Sequence, residues 1–226
     1  MSLNITDGQL ILIDKDLNWT SFDVVNKIRY SIKKKFDIKK IKVGHAGTLD
    51  PLATGLLLIC IGKMTKSIDN FSIMNKTYTG KMTIGSTTPS YDLETKPNLN
   101  HPVDHIDEKL ILKTVEKFLG KTLQQPPIFS AVKKDGVRSY KLARKGKEIK
   151  LDKREVTIEE FKITDIKFPE VSFSVTCSKG TYIRSLVHDF GKELNSGAHL
   201  SELRRTKIGD FSVENSEKVM DFVRRI

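Results

Sequence analysis

Val43-Gly44-His45-Ala46-Gly47-Thr48-Leu49-Asp50-Pro51-Leu52-Ala53-Thr54-Gly55 sets one carboxylate in a glycine-punctuated loop directly before an apolar run, Leu56 to Ile61. The glycines let the backbone bend sharply and approach a ligand closely. Pro51 biases Asp50 away from the helical region and fixes the next φ, so the carboxylate is expected on a stiff loop rather than inside a helix. Leu-Leu-Leu-Ile-Cys-Ile then reads as a buried strand that anchors the loop. Asp50 is therefore the candidate for chemistry, although the same punctuation also suits an ordinary turn with a solvated acid.

Outward from this loop the chain reads as mixed α and β without repeats. Gln9 to Ile13 is a strand, and Ser21 to Phe36 a helix capped by Thr20 or Ser21, with Phe22, Val25, Ile28, Ile32 and Phe36 on one face. Tyr78 to Ile84 alternates as a strand. The polar, proline-bearing stretch from Thr87 to His101 is expected to be a loop or lid. Asp107 to Leu119 is a helix with Leu110, Ile111, Val115, Phe118 and Leu119 inward, stopped by Gly120. Glu155 to Phe168 and Val171 to Cys177 form a long antiparallel pair joined at Pro169-Glu170. A helix beginning at Thr181 turns Ile183, Leu186, Val187, Phe190 and Leu194 inward. That puts Arg184 in its first turn, where the helix dipole disfavours a cation and a carboxylate partner is expected. These elements make an α+β protein.

The 226 residues carry a formal net charge of +11, unevenly spread. Between Lys121 and Arg154 there are 11 Lys and Arg against 3 Asp and Glu, and Lys33-Lys34-Lys35 with Lys39, Lys40 and Lys42 precede the Asp50 loop. Such clusters are an electrostatic footprint for polyanions, and predict salt-sensitive nucleic-acid binding. They also suit a merely soluble basic surface. Helix-turn-helix and zinc-finger patterns are missing, which argues against a DNA-binding domain. The two cysteines, Cys60 and Cys177, sit in apolar runs as small hydrophobes, with no disulfide framework or zinc spacing. The sequence has no stretch apolar enough to span a bilayer and no signal-type N-terminus, so a reducing cytoplasm is expected.

Five segments, in order, resemble the motifs of the TruB family of pseudouridine synthases. The first is the quoted loop. Lys76-Thr77-Tyr78 is similar to the tyrosine motif, and Pro126-Pro127-Ile128-Phe129-Ser130-Ala131-Val132-Lys133 with Gly136, Arg138, Tyr140 and Ala143-Arg144 to the central motif. Gly180-Thr181-Tyr182-Ile183-Arg184-Ser185-Leu186 resembles the arginine motif, and Leu203-Arg204-Arg205-Thr206 the C-terminal one. The resemblance implies the pseudouridine synthase fold: a mixed, mainly antiparallel sheet with a central catalytic cleft flanked by helices.

It further implies isomerisation of uridine to pseudouridine at position 55 of the tRNA T loop, with no metal or cofactor, after the target base is flipped out of its stack. Asp50 matches the nucleophilic aspartate and Arg184 its guanidinium partner. Tyr78 matches the tyrosine that stacks on uracil, and Tyr182 and Leu203 line the base pocket. His45 matches the histidine that props open the RNA, while Lys15 and Asp92 take supporting places. Lys133, Arg138, Lys141, Arg144, Lys145, Arg204 and Arg205 are the expected RNA contacts. The element Lys15-Asp16-Leu17-Asn18-Trp19-Thr20-Ser21 departs from the family by Asp16 for Pro and Asn18 for Gly. Asn tolerates left-handed backbone, so the turn is expected to survive, but the stiffness that would position Lys15 is lost.

After Phe211 there is room only for a helix, Glu214 to Ile226, so the PUA domain of other members is expected to be absent. That leaves a single domain over residues 1–226, with 133–153 as a basic RNA-clamping insertion. The partner is then the T stem-loop of tRNA, engaged by a stand-alone monomer without guide RNA or membrane. A non-catalytic tRNA chaperone using the same basic surface is the alternative.

Overall fold

A computed structural model of the chain describes residues 7–134, 136–146 and 151–226. In chain order the elements are β1 (Gln9–Lys15), α1 (Ser21–Lys35), β2 (Val43–His45), β3 (Ala53–Ile61), α2 (Ile68–Ser72), β4 (Lys76–Ile84), β5 (Ser86–Thr87), β6 (Leu99–Asn100), α3 (Glu108–Glu116) and β7 (Gly120–Gln124). They continue as β8 (Lys133–Lys134), β9 (Val137–Arg138), α4 (Ser139–Ala143), β10 (Arg154–Lys167), β11 (Glu170–Cys177), α5 (Ile183–Glu193), β12 (Ala198–Ile208), β13 (Phe211–Ser212), β14 (Glu217–Lys218) and α6 (Val219–Arg225). The chain groups into two compact units, one of residues up to Tyr78 together with Leu203–Ile226, the other Thr79–Glu202. Strands β4 and β12 each begin in one unit and end in the other.

In the first unit β3 is the central strand. It pairs antiparallel with β1 along its whole length, antiparallel with β2 at one end, and parallel with β12 at the other, where Leu203 lies opposite Ala53. Both faces of β3 are covered, which explains its unbroken apolar sequence. Leu57, Ile59 and Ile61 pack with Ile11, Ile13, Val24, Val25, Ile28, Ile32 and Phe222 of β1, α1 and α6. Leu56 and Leu58 face the other way, onto Ala46 and Ile208.

Helix α1 opens with a reciprocal capping box. The Asp23 N–H donates to Thr20 Oγ1 at 3.0 Å, and the Thr20 N–H donates to the Asp23 carboxylate at 2.9 Å. Val25, Ile28 and Ile32 of the expected face are buried, joined by Val24, but its two ends are not: Phe22 is 61% exposed and Phe36 40%. The helical period admits either phase, and the one observed keeps both β-branched valines inside, in one cluster with residues of β1 and β3.

In the second unit β10 lies between β11 and β7, antiparallel to both, and the β10–β11 hairpin closes with Lys167 opposite Glu170 as the sequence indicates. Four rings form its core: Phe161 touches Phe118, Phe173 and Phe190 with centroids 5.7–6.4 Å apart, mostly edge to face. Asp107 caps α3 through a 2.7 Å bond from the Leu110 N–H, and Leu119, expected inward, is 46% exposed. The expected C-terminal helix is shorter than its sequence suggests, because β14 takes Glu217 and Lys218 alongside β1 before α6 begins. Both cysteines are free and buried, and no helix among the described residues is long and apolar enough to cross a membrane.

Gly55 shows how tightly β3 and β12 meet. Its φ is +107°, and a Cβ there would stand 2.2 Å from the Arg205 carbonyl oxygen; at Gly47, φ +94°, the nearest atom would be 3.7 Å away. Gly47→Ala should cost about 1–2 kcal/mol of backbone strain, and Gly55→Ala about 3 kcal/mol or more. Urea unfolding of the two variants side by side checks the ordering.

Candidate active site

The Asp50 loop is fixed to the first unit by buried polar side chains that reach its backbone. Ser21, at the start of α1, both donates to the Leu49 carbonyl (3.1 Å) and accepts from the Leu49 N–H (2.9 Å). Arg205 of β12 is 1% exposed, and its guanidinium donates to the carbonyls of Gly47 (3.1 Å), Thr48 (3.3 Å) and Leu56 (2.7 Å). Lys15, fully enclosed at the end of β1, donates to the carbonyls of Trp19 (2.7 Å), Asp16 (3.0 Å) and Pro51 (3.5 Å). Asp50 is thus bracketed on both sides, and its own carbonyl accepts from the Ala53 N–H at 3.1 Å as the chain turns into β3.

Burying a lysine disfavours its charged form. Burial accordingly pulls Lys15 down from 10.5 to about 8, while the negative charge of Asp50 offsets part of that loss. The departures from the family pattern in this element are accommodated. Asn18 takes the left-handed conformation, φ 65°, and its N–H donates to the Pro51 carbonyl at 2.8 Å, tying the turn to the Asp50 loop. Asp16 pairs with Lys218 at 2.7 Å.

Around this loop the first unit places His45 at the end of β2, half-buried, with its pKa lowered by burial and by the Arg205 charge, so the ring is neutral near pH 7. Tyr78 is an inward residue of β4, 8% exposed. Leu203 sits three residues along from Asp50 in register. Two expected RNA contacts serve other ends. Arg205 is enclosed and spent on backbone carbonyls, so it is not free to meet a phosphate. Arg204 forms a two-pronged pair with Asp14, 3.0 Å at each prong, and Lys218 joins the same carboxylate at 3.0 Å. Burial works to raise the Asp14 pKa, but the two cations overcome it and hold the carboxyl below its usual value.

The second unit has a site of its own at the start of α5. Arg184 is 3% exposed and Asp92 6%, with Nε 3.6 Å from the carboxylate, and Arg184 Nη1 also donates to the Phe129 carbonyl at 2.9 Å. The first-turn cation therefore does have an acid beside it, and that acid is Asp92. The turn bearing Asp92 is well braced: Thr88 and Ser90 hydroxyls donate to its carbonyl, and its carboxylate accepts from the Glu94 N–H. Tyr91, left-handed at φ 65°, stacks on His188 of α5 with ring centroids 3.7 Å apart. Tyr182 is the N-cap residue of α5, and the Arg154 guanidinium lies 4.7 Å from its ring centre.

The sequence of residues 33–183 matches the model of the TruB family pseudouridylate synthase N-terminal domain, and 184–224 that of the tRNA pseudouridylate synthase B C-terminal domain. The chain belongs to the TruB family. It is 59% identical to the tRNA pseudouridine synthase B of Flavobacterium johnsoniae over 93% of its own length and 92% of the relative's. With the enzyme of that name from Phocaeicola vulgatus it shares 49% over 97% and 94%. Among solved structures, a Cbf5-Nop10-Gar1 complex is similar with a TM-score of 0.72 and 30% identity, covering 97% of this chain. An H/ACA RNP bound to a substrate RNA containing 2'-deoxyuridine gives 0.69 and 28%, also over 97%. The chain spans about half the length of each of those two, 54% and 53%.

In this TruB chain the expected RNA-clamping segment is described up to Gly146 apart from Asp135, and again from Leu151; the rest of it, including Lys147 and Lys150, lies outside the described residues. Lys133, Arg138, Lys141 and Lys145 are exposed, with Lys133 directly opposite Arg138 in the β8–β9 hairpin. Arg144 is partly committed, pairing with Glu94 at 2.6 Å. Sequence reasoning missed Arg205 and Gln124 as structural supports.

Between pH 8 and 10.5 the unfolded chain holds the Lys15 proton and the folded protein has released it, so this residue's contribution to stability rises with pH across that window. Lys15→Met lacks that increment. The unfolding free energy of the native protein relative to the variant should climb by roughly 2–4 kcal/mol over the window, and a flat difference would rule out the lowered Lys15 pKa.

Proposed function

We propose that this protein isomerises uridine to pseudouridine in the T loop of tRNA, at position 55, acting alone and as a monomer in the cytoplasm. The observation that carries the reading is the Asp50 loop. In a chain 59% identical to a tRNA pseudouridine synthase B, the aspartate of the family's signature stands on backbone clamped by Ser21, Lys15 and Arg205. Rigid placement of a reacting group is what a bond-exchange reaction demands of its enzyme.

The reaction breaks the N1–C1′ bond and forms C5–C1′; C5 loses a proton and N1 gains one. No electrons are exchanged. The Asp50 side chain starts the exchange on the flipped nucleotide. Arg184, held by Asp92 and the Phe129 carbonyl, is the arginine of the family's motif and takes the guanidinium role that the resemblance assigns it. Tyr78 stacks on the uracil and carries the C5 proton in the last step. Tyr182 and Leu203 bound the base pocket, and His45, neutral, fills the space the base leaves in the RNA.

The hairpin supports a polyanionic partner. Like charges directly across a ladder are unfavourable, so Lys133 opposite Arg138 is an arrangement that a phosphate between them would relieve. The H/ACA RNP structure shares the fold, but the relatives of matching length are named for tRNA, which favours stand-alone action on tRNA.

Asp50→Asn should abolish pseudouridine formation in an unmodified tRNA transcript while tRNA affinity stays within about 3-fold, since the basic surface is untouched. A chaperone would retain its biological output in that variant, and product formation without the carboxylate would end the catalytic role of Asp50. Replacing Arg138, Lys141 and Lys145 together by Gln should weaken tRNA binding and lower the slope of log affinity against log salt by about 2–3. An unchanged slope would remove the hairpin from the RNA interface.

A further inference from the structure

We propose that Gln124 is a positioning residue for turnover: its carboxamide sets the first turn of α5 and, through it, the Tyr182 ring and the Arg184 guanidinium. This rests on the reading that those two residues belong to the active site. The first N–H groups of a helix have no partner within it, and a buried helix end must find them elsewhere. Helix α5 starts with Ile183, Arg184 and Ser185 all buried, and its N-cap residue, Tyr182, supplies no side-chain cap. Gln124, the last residue of β7 and 4% exposed, fills that place from outside the helix.

The contact is two-pronged. Gln124 Oε1 accepts from the Tyr182 N–H at 2.7 Å, and Gln124 Nε2 donates to the Tyr182 carbonyl at 3.0 Å. One amide thus meets both backbone groups of one residue, donor to acceptor and acceptor to donor, which ties down the two peptide units on either side of the Tyr182 Cα in rotation as well as distance. The Tyr182 carbonyl also accepts the first intrahelical bond, from the Leu186 N–H at 3.0 Å, so Gln124 and the helix hold the same group.

The chain leaving β7 continues the clamp. The Gln125 carbonyl accepts from Ser185 Oγ at 2.7 Å and the Phe129 carbonyl from Arg184 at 2.9 Å. The side chains on the clamped residue and two residues beyond it are the two the reaction uses: the Tyr182 ring, with Arg154 4.7 Å from its centre, and Arg184, whose guanidinium carbon lies 6.0 Å from that same ring. A shift of about 1 Å in such groups slows a positioned reaction about 100-fold without touching the remote contacts that bind the substrate. The chemistry of the residue is specific, since a carboxylate at 124 would accept from the N–H but face the carbonyl with a lone pair, and an apolar side chain would offer neither contact.

The test is single-turnover pseudouridine formation and tRNA affinity for Gln124→Glu, Gln124→Met, Arg184→Lys and the Gln124→Met/Arg184→Lys double variant, between about pH 5.5 and pH 8. At the upper end Gln124→Glu should be about 10–100-fold slower than the native protein with affinity within about 3-fold. Its deficit should shrink as pH falls, because burial raises the carboxyl pKa and the protonated acid again donates to the Tyr182 carbonyl. Gln124→Met should be slow at every pH, and the double variant should lose less than the product of the single losses. The native rate in either Gln124 variant, or a deficit in Gln124→Glu that ignores pH in a folded protein, would overturn the proposal. The native rate in Arg184→Lys would instead remove the active-site reading on which it stands.

Discussion

Buried cations answered by backbone carbonyls are the constraint on which the rest of this structure depends. A lysine and an arginine almost never lie fully inside a protein without a partner, because the cost of leaving water is several kcal/mol per charge. Here the ammonium of Lys15 and the guanidinium of Arg205 spread that charge over six carbonyl groups, five of them in the segments 16–19 and 47–51 and the sixth at Leu56 in β3. The carbonyls of an irregular loop need donors once they are enclosed. Each side of the arrangement therefore supplies what the other lacks, and the loop between them has little freedom left.

The same logic governs the start of α5. A cation in a helix's first turn is opposed by the dipole, and enclosure adds a desolvation cost. Asp92 and the Phe129 carbonyl offset both for Arg184, while the Gln124 amide supplies the missing cap. In each unit the family's signature residue stands on backbone that is held by side chains from distant parts of the chain. Stability and function are joined there: removing a brace exposes an unsatisfied group and displaces the reactive one in the same step.

The β10–β11 hairpin and the buried β3 were legible in the sequence because each rests on local pattern, whereas β12 and β7 were not read as strands. Period two in Val171, Phe173, Val175 and Cys177 leaves no second solution, and a six-residue apolar run has to be covered on both faces. Helix α1 was legible as a helix but not at the ends of its buried face, since Phe22 and Phe36 sit at positions consistent with a slightly rotated stripe. Asp50, Tyr78 and Arg184 could be singled out from motif likeness. Their supports could not: lysine, arginine and glutamine read as surface residues in any composition rule, and their burial becomes sensible only once the carbonyls they meet are folded into reach.

The element Lys15 to Ser21 makes the point most sharply. Replacing the family's Pro by Asp16 and its Gly by Asn18 removes one source of rigidity and one of conformational ease. The structure restores both by other means. Asn18 adopts φ 65°, at a cost smaller than other side chains would meet, and its N–H spends itself on Pro51; Asp16, where proline would have stiffened the chain, is tethered to Lys218. Lys15 then closes the turn by bridging Asp16, Trp19 and Pro51. What the position requires is a turn that delivers a donor to the Pro51 carbonyl, and the residue types that achieve this can change so long as that bond is kept.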